Sequence, residues 1–144
     1  MYRFQALILA FLFSTNLSAQ ETPFQKQTLP ALWELKELVS IPNNGLSPKD
    51  IQKNIDWLTT AFQKRGFQTQ PLANKGNPLL LAQKVVDKNL PTILFYMHLD
   101  GQPVDPTKWN QSNPYQAVLK KADANGEWQS VSWEAVGKTV DPNW

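Results

Sequence analysis

The chain has 144 residues, of which 42% are apolar and 18% charged, so its composition is that of a globular protein rather than a disordered one. Its net charge of +2 is small and spread along the sequence, which argues against nucleic acid or an anionic membrane as the main partner. No cysteine is present, and this excludes disulfides, thiolate metal ligands and a cysteine nucleophile.

Residues 1–19 have the pattern of a secretory signal peptide. Arg3 precedes an apolar run at 6–13, and small and polar residues follow as far as Ala19. Because the apolar run is shorter than the roughly 20 residues that cross a bilayer, we expect cleavage after Ala19. An uncleaved anchor and an internal core helix are the alternatives. The pattern predicts a signal peptide at 1–19 and an exported region at 20–144, either periplasmic or secreted.

Two helices are predicted after a polar lead-in at 20–28. The first has Pro30 in its first turn and ends before Pro42, because the residue before a proline is disfavoured in the α conformation. Its apolar face contains Leu32, Leu35, Leu38 and Val39.

The second helix begins at the N-cap Ser47 with Pro48 in the first helical position, and Gly66 ends it. Its apolar stripe, expected to pack against a sheet, consists of Ile51, Ile55, Leu58 and Phe62.

Three strand-like segments follow, with the sequences FQTQPL, PLLLAQKVV and TILFYMHL. The third is apolar at every position from Ile93 to Met97, which predicts a strand buried on both faces. Tyr96 and Met97 are accordingly expected in the core. Helices followed by such strands indicate an α/β fold, with helices packed on a mixed, mostly parallel sheet.

The rest of the chain is predicted to be a loop and a hairpin. Residues 101–114 include three prolines, which is typical of a loop. Residues 115–133 form two strand-like arms around the turn sequence DANG. The tryptophans of this region could form a carbohydrate platform, but they alternate with polar residues as in hairpin packing.

His98 is the single histidine of the chain, and Asp100 follows it at the end of the third segment. Residues two apart in a strand project from the same face, so the carboxylate can fix the tautomer of the imidazole. The carboxyl end of a buried strand is also where α/β sheets bind ligands. Three interpretations remain open on spacing alone, namely a core histidine, a general base and a metal ligand. A general base would need a nucleophile to activate, and none is recognisable in the sequence. A metal ligand would need partners, because one histidine cannot complete a zinc site.

The stretch LFYMHLDGQPVDPTKW resembles the histidine segment of the M-20 metallopeptidases, which include carnosinase-like dipeptidases, aminoacylases and desuccinylases. The shared pattern is a hydrophobic strand, His-x-Asp, a proline, a tryptophan and a Pro-aromatic pair. It is carried here by His98, Asp100, Pro103, Trp109 and the NPY at 113–115. The opening LWELKELVSIPNN and the RGF at 65–67 also resemble that family. Gly101 departs from it, since many members have valine there.

The resemblance implies an exported hydrolase that cleaves peptide or N-acyl amide bonds with two zinc ions. It makes His98 a metal ligand and Asp100 the catalytic carboxylate that orients it. The substrate is a small peptide or N-acyl amino acid, and a homodimer of the full-length protein is compatible with the family. The other ligands and the base glutamate would follow position 144, which makes the chain the N-terminal portion of a zinc-exopeptidase catalytic domain, inactive alone. The alternative is an exported, non-catalytic binding module.

Two further residues near the motif have a functional and a structural interpretation. Asp105 could belong to the substrate-side loop, although an aspartate before a proline more often forms a turn. Trp109 could line a pocket, although it more often anchors such a loop to the core.

Overall fold

The computed structural model describes residues 22–111 and 113–136, so the predicted signal peptide and the terminal residues 137–144 lie outside the described residues. Two helices come first, followed by two separate antiparallel hairpins. The elements are α1 (Pro23–Val39), α2 (Pro48–Gln63), β1 (Gln68–Leu72), β2 (Leu79–Gln83), β3 (Leu119–Ala122) and β4 (Trp128–Val131). Short 3₁₀ turns occupy Pro106–Lys108 and Trp133–Ala135. Within these ranges no helix combines the length and the apolar character needed to span a bilayer.

Helix α1 begins earlier than its proline predicts. It starts at Pro23, so the expected polar lead-in is helical from that residue onward and Pro30 lies inside the helix. The prediction of the start was wrong: the helix extends to the N-terminal side of Pro30, although an interior proline removes one backbone hydrogen bond and crowds the carbonyl four residues earlier. The predicted end is confirmed, since α1 stops at Val39, before Pro42.

Helix α2 follows its sequence signals closely. The Ser47 side chain accepts a hydrogen bond from the backbone N–H of Asp50, as an N-cap does, and Pro48 is the first helical residue. Gly66 has φ +77°, and the N–H of Phe67 donates to the carbonyl of Phe62 at 3.1 Å. This is the left-handed helix end that the glycine predicts.

The small core lies under α2. Ile51 and Ile55 are 0% and 1% exposed, and α2 packs against the β1–β2 hairpin, as the apolar stripe predicts. The sheet itself differs from the prediction, because β1 and β2 pair antiparallel, with Gln70 opposite Leu81. A mixed α/β composition is confirmed, whereas the mostly parallel sheet is wrong for the described residues.

The third predicted strand is also wrong. Residues 92–99 form no strand and pair with none in the described part of the chain, and Tyr96 and Met97 are exposed instead of buried. An apolar strand is buried on both faces only if other strands or helices cover it. Neither hairpin does so, because β1 and β2 pair with each other, as do β3 and β4.

The second hairpin confirms the predicted DANG turn. Gly126 has φ +84°, and its N–H donates to the carbonyl of Asp123 at 3.0 Å. Trp133 then joins this hairpin to α1. Its Nε1 donates to the carbonyl of Ala117 at 3.0 Å, and its ring lies 5.5 Å from that of Trp33. The Lys36 ammonium is 4.7 Å from both ring centroids, a cation–π contact that fixes the packing.

A buried asparagine stabilises the connection between the helices, and its removal tests this part of the fold. Asn54 is 2% exposed, and its Nδ2 donates to the carbonyl of Pro42 at 2.7 Å and to that of Asp50 at 2.9 Å. Asn54→Ala should lower the free energy of unfolding by about 1–3 kcal/mol, because the Pro42 carbonyl loses its donor. Lys53→Ala, at an exposed position of the same helix, is the control in urea denaturation. Equal stability of the two variants would contradict this role.

Candidate functional site

The site begins where the segment 92–100, which carries His98, meets the connection between α1 and α2. The N–H of Gly101 donates to the carbonyl of Asn43 at 2.8 Å, and the N–H of Gly45 donates to the carbonyl of Gly101 at 2.9 Å. These two bonds form a parallel β-bridge between Asn44 and Gly101. The segment that carries His98 is therefore attached to the helical part of the protein immediately after Asp100.

Residues 43–45, which we call the clasp loop, are themselves held in place. Asn77 donates from Nδ2 to the Gly45 carbonyl at 2.7 Å, and Asn54 binds the carbonyl of Pro42 just before the loop. Asn54 is buried and Asn77 half-buried, and amide side chains that satisfy backbone carbonyls in this way restrict the motion of the loop. The clasp loop thus gives Asp100 a defined neighbour.

His98 and Asp100 face each other, as their spacing in an extended segment predicts. The imidazole Nδ1 lies 3.5 Å from Asp100 Oδ1, at the long limit of a hydrogen bond. The His98 side chain is 75% exposed and that of Asp100 is 49% exposed. The described residues therefore do not bury the ring, which they leave accessible to a ligand from solution.

The second ring nitrogen of His98 is next to a tyrosine. Tyr96 Oη lies 3.4 Å from Nε2, and the two rings meet edge to face with centroids 5.5 Å apart. An ionised carboxylate only accepts hydrogen bonds, so the contact with Asp100 favours the tautomer with the proton on Nδ1. Nε2 then carries the lone pair, which can accept from the Tyr96 hydroxyl or bind a metal ion.

The carboxylate of Asp100 packs directly on Gly45. A Cβ built at position 45 would lie 2.8 Å from Asp100 Oδ2 and 3.4 Å from Asp100 Cβ. Real Cβ atoms do not come that close to an oxygen, so a side chain at position 45 would displace the carboxylate. Gly45 is therefore what allows Asp100 to sit between the clasp loop and the imidazole.

A metal fits this arrangement only in part. His98 offers one nitrogen, supported by a carboxylate on the other side of the ring, which is how proteins orient metal-binding histidines. Among residues 22–111 and 113–136, however, no group of three histidine, aspartate or glutamate side chains is close enough together to hold an ion. A catalytic zinc takes three protein ligands. These residues supply one ligand and its support, not a complete site.

Asp105 and Trp109 lie in the loop that follows. Asp105 caps the 3₁₀ turn Pro106–Lys108, accepting from the N–H of Thr107 at 3.0 Å and from its hydroxyl at 2.7 Å. The bonds from Thr107, first the hydroxyl and then the N–H, lower the pKa of the Asp105 carboxyl. Trp109 is 49% exposed, so about half of its surface is covered by the protein. The structure supports the turn-forming interpretation of Asp105 and does not bring it into contact with His98.

Two surface depressions lie away from the histidine. One of about 280 Å³ separates α1 from α2 and is lined by apolar side chains, with the Glu34–Arg65 ion pair beside it. The other lies on the β3–β4 hairpin beside Trp128 and Lys120. His98 and Asp100 line neither of them, so the pair is on an open surface.

Comparison of the chain with protein-family models, curated proteins and solved structures found no match. The M-20 resemblance therefore rests on the quoted motifs alone and stays a prediction.

The residues that sequence reasoning missed are the neighbours of the pair. Asn43 and Gly45 lie more than 50 positions before Asp100, and Tyr96 was expected in the core. The run NNG between two helices is an ordinary turn signal, and nothing in it indicates which distant residue it contacts. The position of Tyr96 two residues before His98 was a usable signal, because residues i and i+2 of an extended segment share a face.

Gly45→Ala tests whether the clasp loop sets the position of Asp100. We expect the new methyl group to push the carboxylate away from His98 and so change the NMR shifts of the imidazole, which is the only one in the chain. Gly76→Ala is the matched control, because a Cβ there would meet only Asn74 Oδ1, at an ordinary 3.5 Å. Imidazole shifts that change no more in Gly45→Ala than in Gly76→Ala would contradict this placement.

Proposed function

We propose that this chain is part of an exported, metal-dependent hydrolase of the M-20 type that cleaves peptide or N-acyl amide bonds. His98 is the metal ligand of this proposal, through Nε2, and Asp100 is the carboxylate that orients the ring. The observation that carries the proposal is the contact between Nδ1 and Asp100 Oδ1 on a ring that is 75% exposed. An imidazole held in one tautomer with its other nitrogen open is suited to ligation.

An ion held by Nε2 of His98 together with further ligands would supply a water of lowered pKa and stabilisation for the oxyanion of the amide. The chain's own residues have simpler roles. Asp100 holds the proton on Nδ1 and leaves the Nε2 lone pair free. The clasp loop holds Asp100, because the Gly101 backbone is bonded on both sides to Asn43 and Gly45. Tyr96, 3.4 Å from Nε2, can donate its hydroxyl proton there until an ion takes its place.

The proposal requires ligands beyond those described here. Two zinc ions with three protein ligands each need several more histidine or carboxylate side chains near His98. The described residues offer none in a suitable group, and no glutamate can be assigned as the general base. We therefore expect residues 20–144 alone to bind zinc weakly and to be inactive towards dipeptides and N-acyl amino acids.

The export and partner assignments belong to the same proposal. The signal-like residues 1–19 support a periplasmic or secreted location, and the weak net charge supports a small-molecule substrate rather than nucleic acid. A non-catalytic binding module is the second candidate, and the open position of His98 outside both surface depressions favours it.

Zinc titration of residues 20–144, followed by NMR on the single imidazole, tests the ligand assignment. Zinc should shift the His98 signals, and Asp100→Asn should weaken this binding about tenfold, because the carboxylate no longer orients the ring. Asp105→Asn makes the same chemical change five residues away and should leave zinc binding unchanged.

Two outcomes would contradict separate parts of the proposal. Zinc that leaves the His98 signals unchanged would remove the ligand assignment, and with it the only chemical support for a hydrolase. Metal-dependent hydrolysis of a dipeptide by residues 20–144, abolished by His98→Ala, would support the hydrolase but contradict the expected inactivity of these residues and our ligand count.

A further inference from the structure

The two hydrogen bonds that join the clasp loop to Gly101, which we call the clasp bridge, are both donated by glycines with a reactive neighbour. Gly45 donates to the Gly101 carbonyl at 2.9 Å, and the residue before Gly45 is Asn44. Gly101 donates to the carbonyl of Asn43 at 2.8 Å, and the residue before Gly101 is Asp100. Three of the six glycines of the chain follow an asparagine or an aspartate, and the clasp bridge takes its donors from two of them.

Asn-Gly and Asp-Gly pairs can modify themselves in any polypeptide. The glycine nitrogen gives up its proton and attacks the side-chain carbonyl carbon of the residue before it, which closes a cyclic imide, the succinimide. Ammonia leaves from asparagine, and water leaves from aspartate. A water molecule then opens the ring at either carbonyl and gives aspartate or isoaspartate, whose backbone runs through the former side chain. Glycine favours ring closure because it reaches the required backbone conformations at low cost.

The closed clasp bridge engages the groups that this reaction needs. Both glycine N–H groups are bonded to carbonyl oxygens. The Oδ1 of Asn44 accepts from the N–H of Leu46 at 2.9 Å, and Oδ1 of Asp100 faces Nδ1 of His98. A nitrogen that donates to a carbonyl is less able to lose its proton and to turn towards the neighbouring side chain. The reaction at either pair therefore requires the bridge to open.

The clasp bridge can open without unfolding of the helices, and it lies within reach of water. Opening breaks two backbone hydrogen bonds, so it requires less free energy than global unfolding. The side chain of Asp100 is 49% exposed, and Asn44, Gly45 and Gly101 are half-buried. Asn77, which donates to the Gly45 carbonyl at 2.7 Å, is a side-chain anchor that limits this opening.

We propose that the clasp bridge is a site of spontaneous covalent modification, where Asn44 deamidates and Asp100 isomerises at rates set by bridge opening. Isoaspartate at position 44 adds one backbone carbon between the two bridge bonds, so both bonds can no longer form together. Isoaspartate at position 100 carries its carboxylate directly on Cα, which withdraws that group from His98. Each product thus ends the support of the imidazole. The inference concerns the bridge itself and does not depend on the proposed hydrolase.

Mass spectrometry of the purified chain during incubation at neutral pH measures both reactions. Peptide mapping with electron-transfer fragmentation distinguishes isoaspartate from aspartate at each position. Asn44 and Asp100 should convert at least about tenfold more slowly in the folded chain than in synthetic peptides of residues 40–49 and 96–105, because a peptide cannot form the bridge.

Asn77→Ala tests whether bridge opening controls the two rates. The substitution removes the donor to the Gly45 carbonyl, so the loop opens more often. Conversion of Asn44 and of Asp100 should rise together, at least about threefold. Asn89→Ala is the matched control, because it makes the same change at an exposed position and should leave both rates unchanged.

The third pair, Asn125–Gly126, is an internal reference in the same samples. The Gly126 N–H donates to the carbonyl of Asp123 at 3.0 Å, a bond within the β3–β4 turn that does not involve the clasp loop. Its conversion rate should therefore be the same in Asn77→Ala as in the unsubstituted chain.

Three results would overturn the proposal. Conversion of Asn44 and Asp100 as fast in the chain as in the peptides would show that the bridge does not protect them. Unchanged rates in Asn77→Ala, or a rise at only one of the two positions, would show that a shared opening does not limit the reactions. An equal rise at Asn125 would assign the effect to unfolding of the whole chain.

Discussion

The two hydrogen bonds between Gly101 and the clasp loop are the constraint on which the functional part of this structure depends. They attach the segment 92–100 to the connection between α1 and α2, which is itself held by Asn54 and Asn77. This segment has no other backbone partner in the part of the chain that the structure describes. Without this bridge, the position of His98 relative to the helices would be undefined.

The bridge positions a small chemical unit, which consists of His98, Asp100 and Tyr96. Asp100 is confined between Gly45 and the imidazole, and this leaves Nε2 of His98 facing solution beside Tyr96. The unit has the form of a supported metal ligand, but one ligand binds an ion weakly. The proposed hydrolase accounts for the pair and for its exposure. It also requires further ligands around Nε2, on the same open side of the segment.

The sequence predicts local structure well here and long-range structure poorly. Helix α2 and the DANG turn depend on Ser47, Gly66 and Gly126, whose effects act within a few residues, and they are confirmed. The pairing of His98 with Asp100 follows from the alternation of side chains in an extended chain. The burial of the segment 92–99 and the direction of the strands depend on which distant elements lie alongside, and periodicity carries no such information. Gly45 was missed for the same reason, because its contact is made across the fold.

Amide hydrogen exchange of the monomeric protein at low concentration tests the central constraint most directly. Gly101 and Gly45 donate the two bonds of the bridge, so their amides should exchange at least about tenfold more slowly than the unpaired amide of Leu99, after correction for intrinsic rates. Equal exchange at all three positions would show that the clasp loop does not hold the segment. The placement of Asp100, and the orientation of His98 that depends on it, would then have no structural basis.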